Sequence, residues 1–161
     1  EETPSSQKIP RKGEAGVDEK QIVEGLPKQK VTAVKRTFDC SVRRITVTGP
    51  HGKRVITIWE AAEPRVLVKR TIRSFDPKGK LFKDESWTLK SLKENFTVMR
   101  QAVPCVVYTT VAEIGGARYD GVLYLSRTIP GSTVRAELKS TREGQQQAIT
   151  TVYELLQYER K

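Results

Sequence analysis

From Val31 onward, apolar and polar side chains alternate with a period of two for about sixty residues. The runs 42–48, 53–60, 65–75 and 80–88 are rich in β-branched residues and follow this alternation. Gly49-Pro50-His51-Gly52, Ala61–Pro64 and Asp76-Pro77-Lys78-Gly79 separate them. Short alternating runs joined by Gly/Pro turns predict an antiparallel meander. The period then changes. Leu89, Leu92, Phe96, Met99 and Val103 are spaced by 3, 4, 3 and 4 residues, which predicts a helix over 89–103 with its apolar stripe turned to a core. Ser91 and Glu94 fit a capping box, Thr88 is the other candidate cap, and Pro104 ends the helix.

Strands are expected again over 105–114, 118–128 and 132–140, separated by Gly115-Gly116 and Pro130-Gly131, with Arg142-Glu143-Gly144-Gln145 as one more turn. The end of the chain reads both ways. Ile149-Thr150-Thr151-Val152-Tyr153 is β-prone, while Ala148, Ile149, Val152, Tyr153, Leu155 and Leu156 have helical spacing. The expectation is a short strand to about Val152 feeding a terminal helix. Residues 1–30 develop no period and read as a flexible tail. Together these elements predict an α+β fold: one domain over 31–161, built from two β-meander-plus-helix halves, 31–104 and 105–161, with the helices on one side of the sheets.

Charge sharpens this picture. The 161 residues hold 29 Lys and Arg against 19 Asp and Glu, a net charge of +10. Residues 1–30 are neutral, 31–104 carry 16 basic and 7 acidic groups, and 105–161 carry 7 and 6. The excess therefore sits in one half, as in a footprint on a polyanion. Strand parity narrows it further. On 42–48 the polar set is Arg44, Thr46 and Thr48, with Val42. On 53–60 it is Lys53 and Thr57 with Val55 and Trp59. On 65–75 it is Arg65, Lys69, Thr71 and Arg73 with Leu67 and Phe75. Cations two residues apart on a strand are about 6.6–6.8 Å apart, close to the phosphate interval of an extended single strand. Thr hydroxyls between them can donate to phosphate oxygens, and Trp59 or Phe75 can stack on a base. The candidate nucleic-acid-binding residues are thus Arg44, Lys53, Trp59, Arg65, Lys69, Arg73 and Phe75. Arg127, Arg135 and Lys139 join them from the second half, where Glu113 and Glu137 dilute the charge.

Several functions find no support in the residues. There is no P-loop, no G-x-G-x-x-G and no G-x-S-x-G, so no enzyme is expected. Two cysteines, Cys40 and Cys105, and one histidine, His51, do not make a zinc set, and no cofactor is expected. Asp84 and Glu85 are adjacent on a strand and should point to opposite faces. The cysteines are expected to be reduced thiols. No run of about 20 apolar residues is present to make a membrane helix. Glu1-Glu2-Thr3-Pro4 has neither a basic n-region nor an apolar h-region, which leaves a chain never targeted or one whose presequence was removed.

A twofold β-meander-plus-helix unit, with basic strand faces led by 65–75 and a helix over 89–103, resembles the Whirly fold. Within it the chain is most similar to the trypanosome mitochondrial RNA-binding proteins that bind guide RNA in RNA editing. The resemblance covers about 31–161. The Lys-Gly-Lys-Ala-Ala-Leu-Ser motif of plant Whirly proteins is not present, since Lys78-Gly79-Lys80 continues as Leu81-Phe82. The resemblance implies a mitochondrial location and a tetramer with central helices, here a heterotetramer with a related Whirly-type subunit. It also implies RNA held by its phosphate backbone with bases exposed, and annealing of guide RNA to its pre-mRNA. The residues themselves leave open two alternatives: an organellar single-stranded DNA-binding protein, and an assembly subunit whose basic sheet meets an acidic protein.

Overall fold

A chain rich in Val, Ile and Thr and broken by two-residue turns forms a strand ladder in which each strand pairs with the next. The computed structural model describes residues 19–98, 100–126, 128, 133–142 and 149–154. These form nine strands: β1 (Lys20–Ala33), β2 (Arg36–Gly49), β3 (Gly52–Ala62), β4 (Arg65–Phe75), β5 (Leu81–Val98), β6 (Gln101–Ile114), β7 (Ala117–Ser126), β8 (Thr133–Arg142) and β9 (Ile149–Glu154). Strand order follows sequence order. The pairs β2–β3, β3–β4, β6–β7, β7–β8 and β8–β9 are antiparallel. Among the described residues there is no helix, so the expected α+β fold gives way to an all-β meander.

The chain divides into two compact units. One holds the described residues of 1–32 with Arg36–Ser86. The other holds Ala33–Lys35 with the described residues of 87–161. The division falls inside β5 rather than after residue 104.

The expected helix over 89–103 is replaced by the end of β5, a turn through Arg100, and the start of β6. The 3-4-3-4 stripe is real as spacing, but it competes with Trp87, Thr88, Phe96, Thr97 and Val98, all good strand formers. β5 also has hydrogen-bonded neighbours on both sides, β4 and β6, and a helix would leave both ladders open. Burial alternates at the end of β5: Phe96 and Val98 turn inward, Asn95 and Thr97 outward. Pro104 lies exposed near the start of β6 and stops nothing. Met99 lies outside the described residues. So do 155–161, on which the terminal helix was expected; the strand expected before them is β9. The tail is shorter than expected, because residues 20–30 belong to β1, while 1–18 lie outside the described residues. Composition had pointed to a tail there, but Ile22, Val23 and Val31 place strand-forming residues along β1 and β2 supplies the partner.

In the first unit, Cys40, Ala61 and Val66 form one buried row across β2, β3 and β4, with Phe38, Val42 and Val68 beside it. In the second, Val98, Val103, Cys105 and Val134 form a buried cluster closed by Phe96 and Tyr124, whose ring centroids are 5.8 Å apart. Cys40 and Cys105 are both free and buried. Burial pushes both thiols up from their ordinary range, with Asp39 adding to the shift at Cys40.

The turns carry local signatures. Gly115 and Gly116, at φ of 56° and 80°, join β6 to β7 as left-handed turn residues should. The β1–β2 turn has the same left-handed conformation without glycine: Val34 and Lys35 sit at φ of 54° and 55°. An L-residue there costs about 1–2 kcal/mol, and a β-branched one sits there least readily. Replacing the pair by Val34→Asn and Lys35→Gly should therefore raise stability by about 1–2 kcal/mol, read as a higher urea midpoint at unchanged m-value. A lower midpoint would show that the Val34 side chain makes contacts outweighing the strain.

Candidate nucleic-acid interface

Antiparallel register decides which side chains share a face, because directly opposed residues point the same way. Four rows cross β2, β3 and β4 on one face of the first unit: Val42–Trp59–Lys69, Arg44–Thr57–Thr71, Thr46–Val55–Arg73 and Thr48–Lys53–Phe75. The face thus changes character along its strands. It is apolar and buried at Phe38, Cys40 and Val42, then cationic and hydroxyl-bearing from Arg44 onward. Arg44, Thr46, Lys53, Val55, Thr57, Thr71, Arg73 and Phe75 line one open groove of about 450 Å³, with Glu24 of β1 on its wall. Among the described residues, neither Arg44 nor Lys53 is engaged in an ion pair.

Six of the residues expected from the sequence come together here: Arg44, Lys53, Trp59, Lys69, Arg73 and Phe75. Their roles differ. Trp59 donates from its indole N–H to Gln29 Oε1 at 2.9 Å, and Lys69 Nζ lies 5.2 Å from its ring centroid. The indole is therefore held at its edge and covered by a cation on one face, which makes it a poor base platform and a good wall. Arg73 Nε lies 3.3 Å from Asp84 Oδ2 of β5, so its charge is partly answered by a carboxylate.

Arg65 does not join them. The β3–β4 register slips between Trp59 and Glu60, so that Trp59 faces Lys69 but Glu60 faces Leu67. This bulge leaves one β4 residue, Val68, without an opposite number and reverses parity below it. Arg65, opposite Ala62, consequently lies on the face of Glu60, away from Lys69 and Arg73. Arg135 and Lys139 belong to the second unit. There Arg135 donates to Glu137 at 2.7 Å and stacks over Phe96 at 5.4 Å, and Lys139 faces Asp120 across the ladder. Asp120 is held below its ordinary range chiefly by hydrogen bonds from Arg118, despite some desolvation. That surface is balanced alternation of charge, not a cationic patch. Arg127 lies outside the described residues.

The opposite face of the first unit is aliphatic, with Ile45, Val47, Ile56, Ile58 and Ile72 half-buried. Three of its cations are matched, Arg43 with Glu60 at 2.8 Å, Lys83 with Glu85 at 2.7 Å and Arg70 with Glu85 at 3.7 Å, while Arg54 and Arg65, exposed on this same face, are in no ion pair among the described residues. Burial draws the Arg70 guanidinium down from its ordinary value, with Glu85 opposing the shift. Asp84 and Glu85 thus serve opposite faces, as adjacent strand carboxylates must.

Two carboxylates at the groove were not anticipated, Glu24 in its lining and Asp84 against Arg73. Glu24 lay in the stretch read as tail. Its place on the face is unexpected even for a strand, because Gln29, five residues on, shares that face through Trp59. An odd separation requires one break of parity, and Gly25 and Pro27 lie between the two. Asp84 became a neighbour of Arg73 only through pairing of β4 with β5. These two side chains put carboxylates beside the cations of this face.

Among the described residues, no group of three or more His, Cys, Asp and Glu is placed to hold a metal, and no helix is long and apolar enough to cross a membrane. No family model, no curated protein and no solved structure matches the chain.

Proposed function

We propose that the first unit binds single-stranded RNA through its phosphate backbone, with little regard to sequence, and that the protein acts as a non-enzymatic annealing factor. The observation that supports this reading is the register itself: Arg44, Lys53, Lys69 and Arg73 share one face, with Thr46, Thr57 and Thr71 between them. Cations and hydroxyls at strand spacing suit successive phosphates, which carry no base information. The covered Trp59 ring fits a mode in which bases point away from the protein. Neutralising one strand lowers its repulsion for a second, and outward bases can then pair. The guide-RNA, mitochondrial and heterotetramer expectations came with a helix-bearing fold, and the proposal stands without them.

Anisotropy titration of unrelated 12-nucleotide RNAs, DNA of the same sequences and poly-glutamate, at two salt concentrations, tests the reading. The RNAs should bind within about threefold of one another, and DNA comparably, since phosphates do not report the sugar. Log K should fall with log salt by about 0.7 per phosphate, or about 3 for four contacts. Poly-glutamate binding tighter than either nucleic acid would replace RNA by an acidic protein partner.

A further inference from the structure

The same face carries Arg44, Lys53 and Arg73 in the middle and one carboxylate on each side of them. Arg44, Lys53 and Arg73 belong to β2, β3 and β4, the three central strands of the run β1-β2-β3-β4-β5. Glu24 on β1 lines the groove from one side, and Asp84 on β5 reaches Arg73 from the other at 3.3 Å. With neighbouring strands about 4.8 Å apart, the cationic stripe is about 10 Å wide, and acid begins one strand beyond it on each side.

We infer that Glu24 and Asp84 are specificity-determining residues that confine the groove to a single phosphate backbone and reject a duplex. This rests on the RNA-binding reading and adds to it. A single backbone running along the strands meets only Arg44, Lys53, Arg73 and the Thr hydroxyls. A duplex presents two backbones side by side across its wide, shallow minor groove, so when one lies on the stripe the second falls to the side of it, toward the β1 or the β5 column. There it meets a carboxylate, and like charges at close range oppose binding. Asp84 also competes with phosphate for Arg73, a tax levied on either ligand, whereas repulsion of a second backbone falls on the duplex alone. The consequence for annealing is direct: the strand is held while single and released once paired, so the product does not block the site.

The test compares the parent with Glu24→Gln, Asp84→Asn and the double variant on two labelled probes, a 12-nucleotide RNA strand and the 12-base-pair duplex that contains it. Glu24 is exposed and Asp84 half-buried, both changes are isosteric, and circular dichroism with thermal melting checks that each variant folds. The parent should prefer the single strand. Each substitution should raise duplex affinity by about two- to fivefold more than single-strand affinity, the scale of one exposed charge contact. The double variant should narrow the preference by about tenfold and release annealed duplex more slowly. Equal gains on both probes, or no gain on the duplex, would overturn the specificity role while leaving RNA binding intact. A parent that binds neither probe overturns the RNA-binding reading, and the specificity role with it.

Discussion

Replacing Arg44, Lys53 and Arg73 together by Ala should lower affinity for a 12-nucleotide RNA about a hundredfold at low salt. A hydrogen bond to a charged group contributes about 1.5–3 kcal/mol when formed, and partial exposure and the Asp84 pair reduce that to about 1 kcal/mol for each of the three. The loss should be the same factor for unrelated sequences, because phosphates are uniform along the chain. The salt slope should fall by about 2, three contacts at about 0.7 each. The fold should survive, since these cations sit at the wet end of the face, away from the buried row Cys40–Ala61–Val66. Arg65→Ala provides the internal contrast. Sequence parity groups it with Lys69 and Arg73, but the bulge turns it to the other face, so its removal should change affinity less than about twofold. A triple variant with an unchanged salt slope would show that RNA, if bound, is bound elsewhere.

Gly52→Ala should be the most damaging single substitution, costing about 3 kcal/mol or more and about 10 °C in melting temperature. Two costs coincide. The residue sits at φ of 121°, a conformation that side chains rarely tolerate. A Cβ there would also overlap the carbonyl oxygen of Phe75 and stand 2.9 Å from the carbonyl carbon of Asp76. Both obstacles are backbone, so no flexible side chain can swing aside. Gly79→Ala separates the two costs. At φ of 82° with open space around its Cβ position, Gly79 has only the conformational strain, about 1–2 kcal/mol. Equal melting temperatures for the two variants would mean that the β4 end relaxes around the new methyl. Because Gly52 precedes Lys53 and its neighbour Phe75 closes the groove, Gly52→Ala should also weaken RNA binding in whatever protein remains folded.

The residues by themselves determined what depends on neighbours a few positions away. Alternation on 42–48, 53–60 and 69–75 places Arg44, Lys53, Lys69 and Arg73 on the polar side of their own strands. The turns at Gly49–Gly52, Asp76–Gly79 and Gly115-Gly116 are legible because glycine and proline restrict or free φ locally. Asp76 illustrates the scale: its side chain accepts hydrogen bonds from the backbone of Lys78 and Lys80, two and four residues on. Tertiary structure alone decided what depends on partners farther along the chain. A stripe such as Leu89–Phe96 satisfies a helix as spacing, but the flanking ladders of β4 and β6 hold it as a strand. The bulge opposite Trp59 and Glu60 reverses the face of Arg65, and no local pattern signals it, because a bulge is a mismatch between two strands and belongs to neither sequence alone. Glu24 and Asp84 reach the cationic stripe only once β1 and β5 have paired into place. Parity sorts side chains within a strand; which strands stand together, and in what register, is fixed by burial and hydrogen bonding summed over the whole sheet.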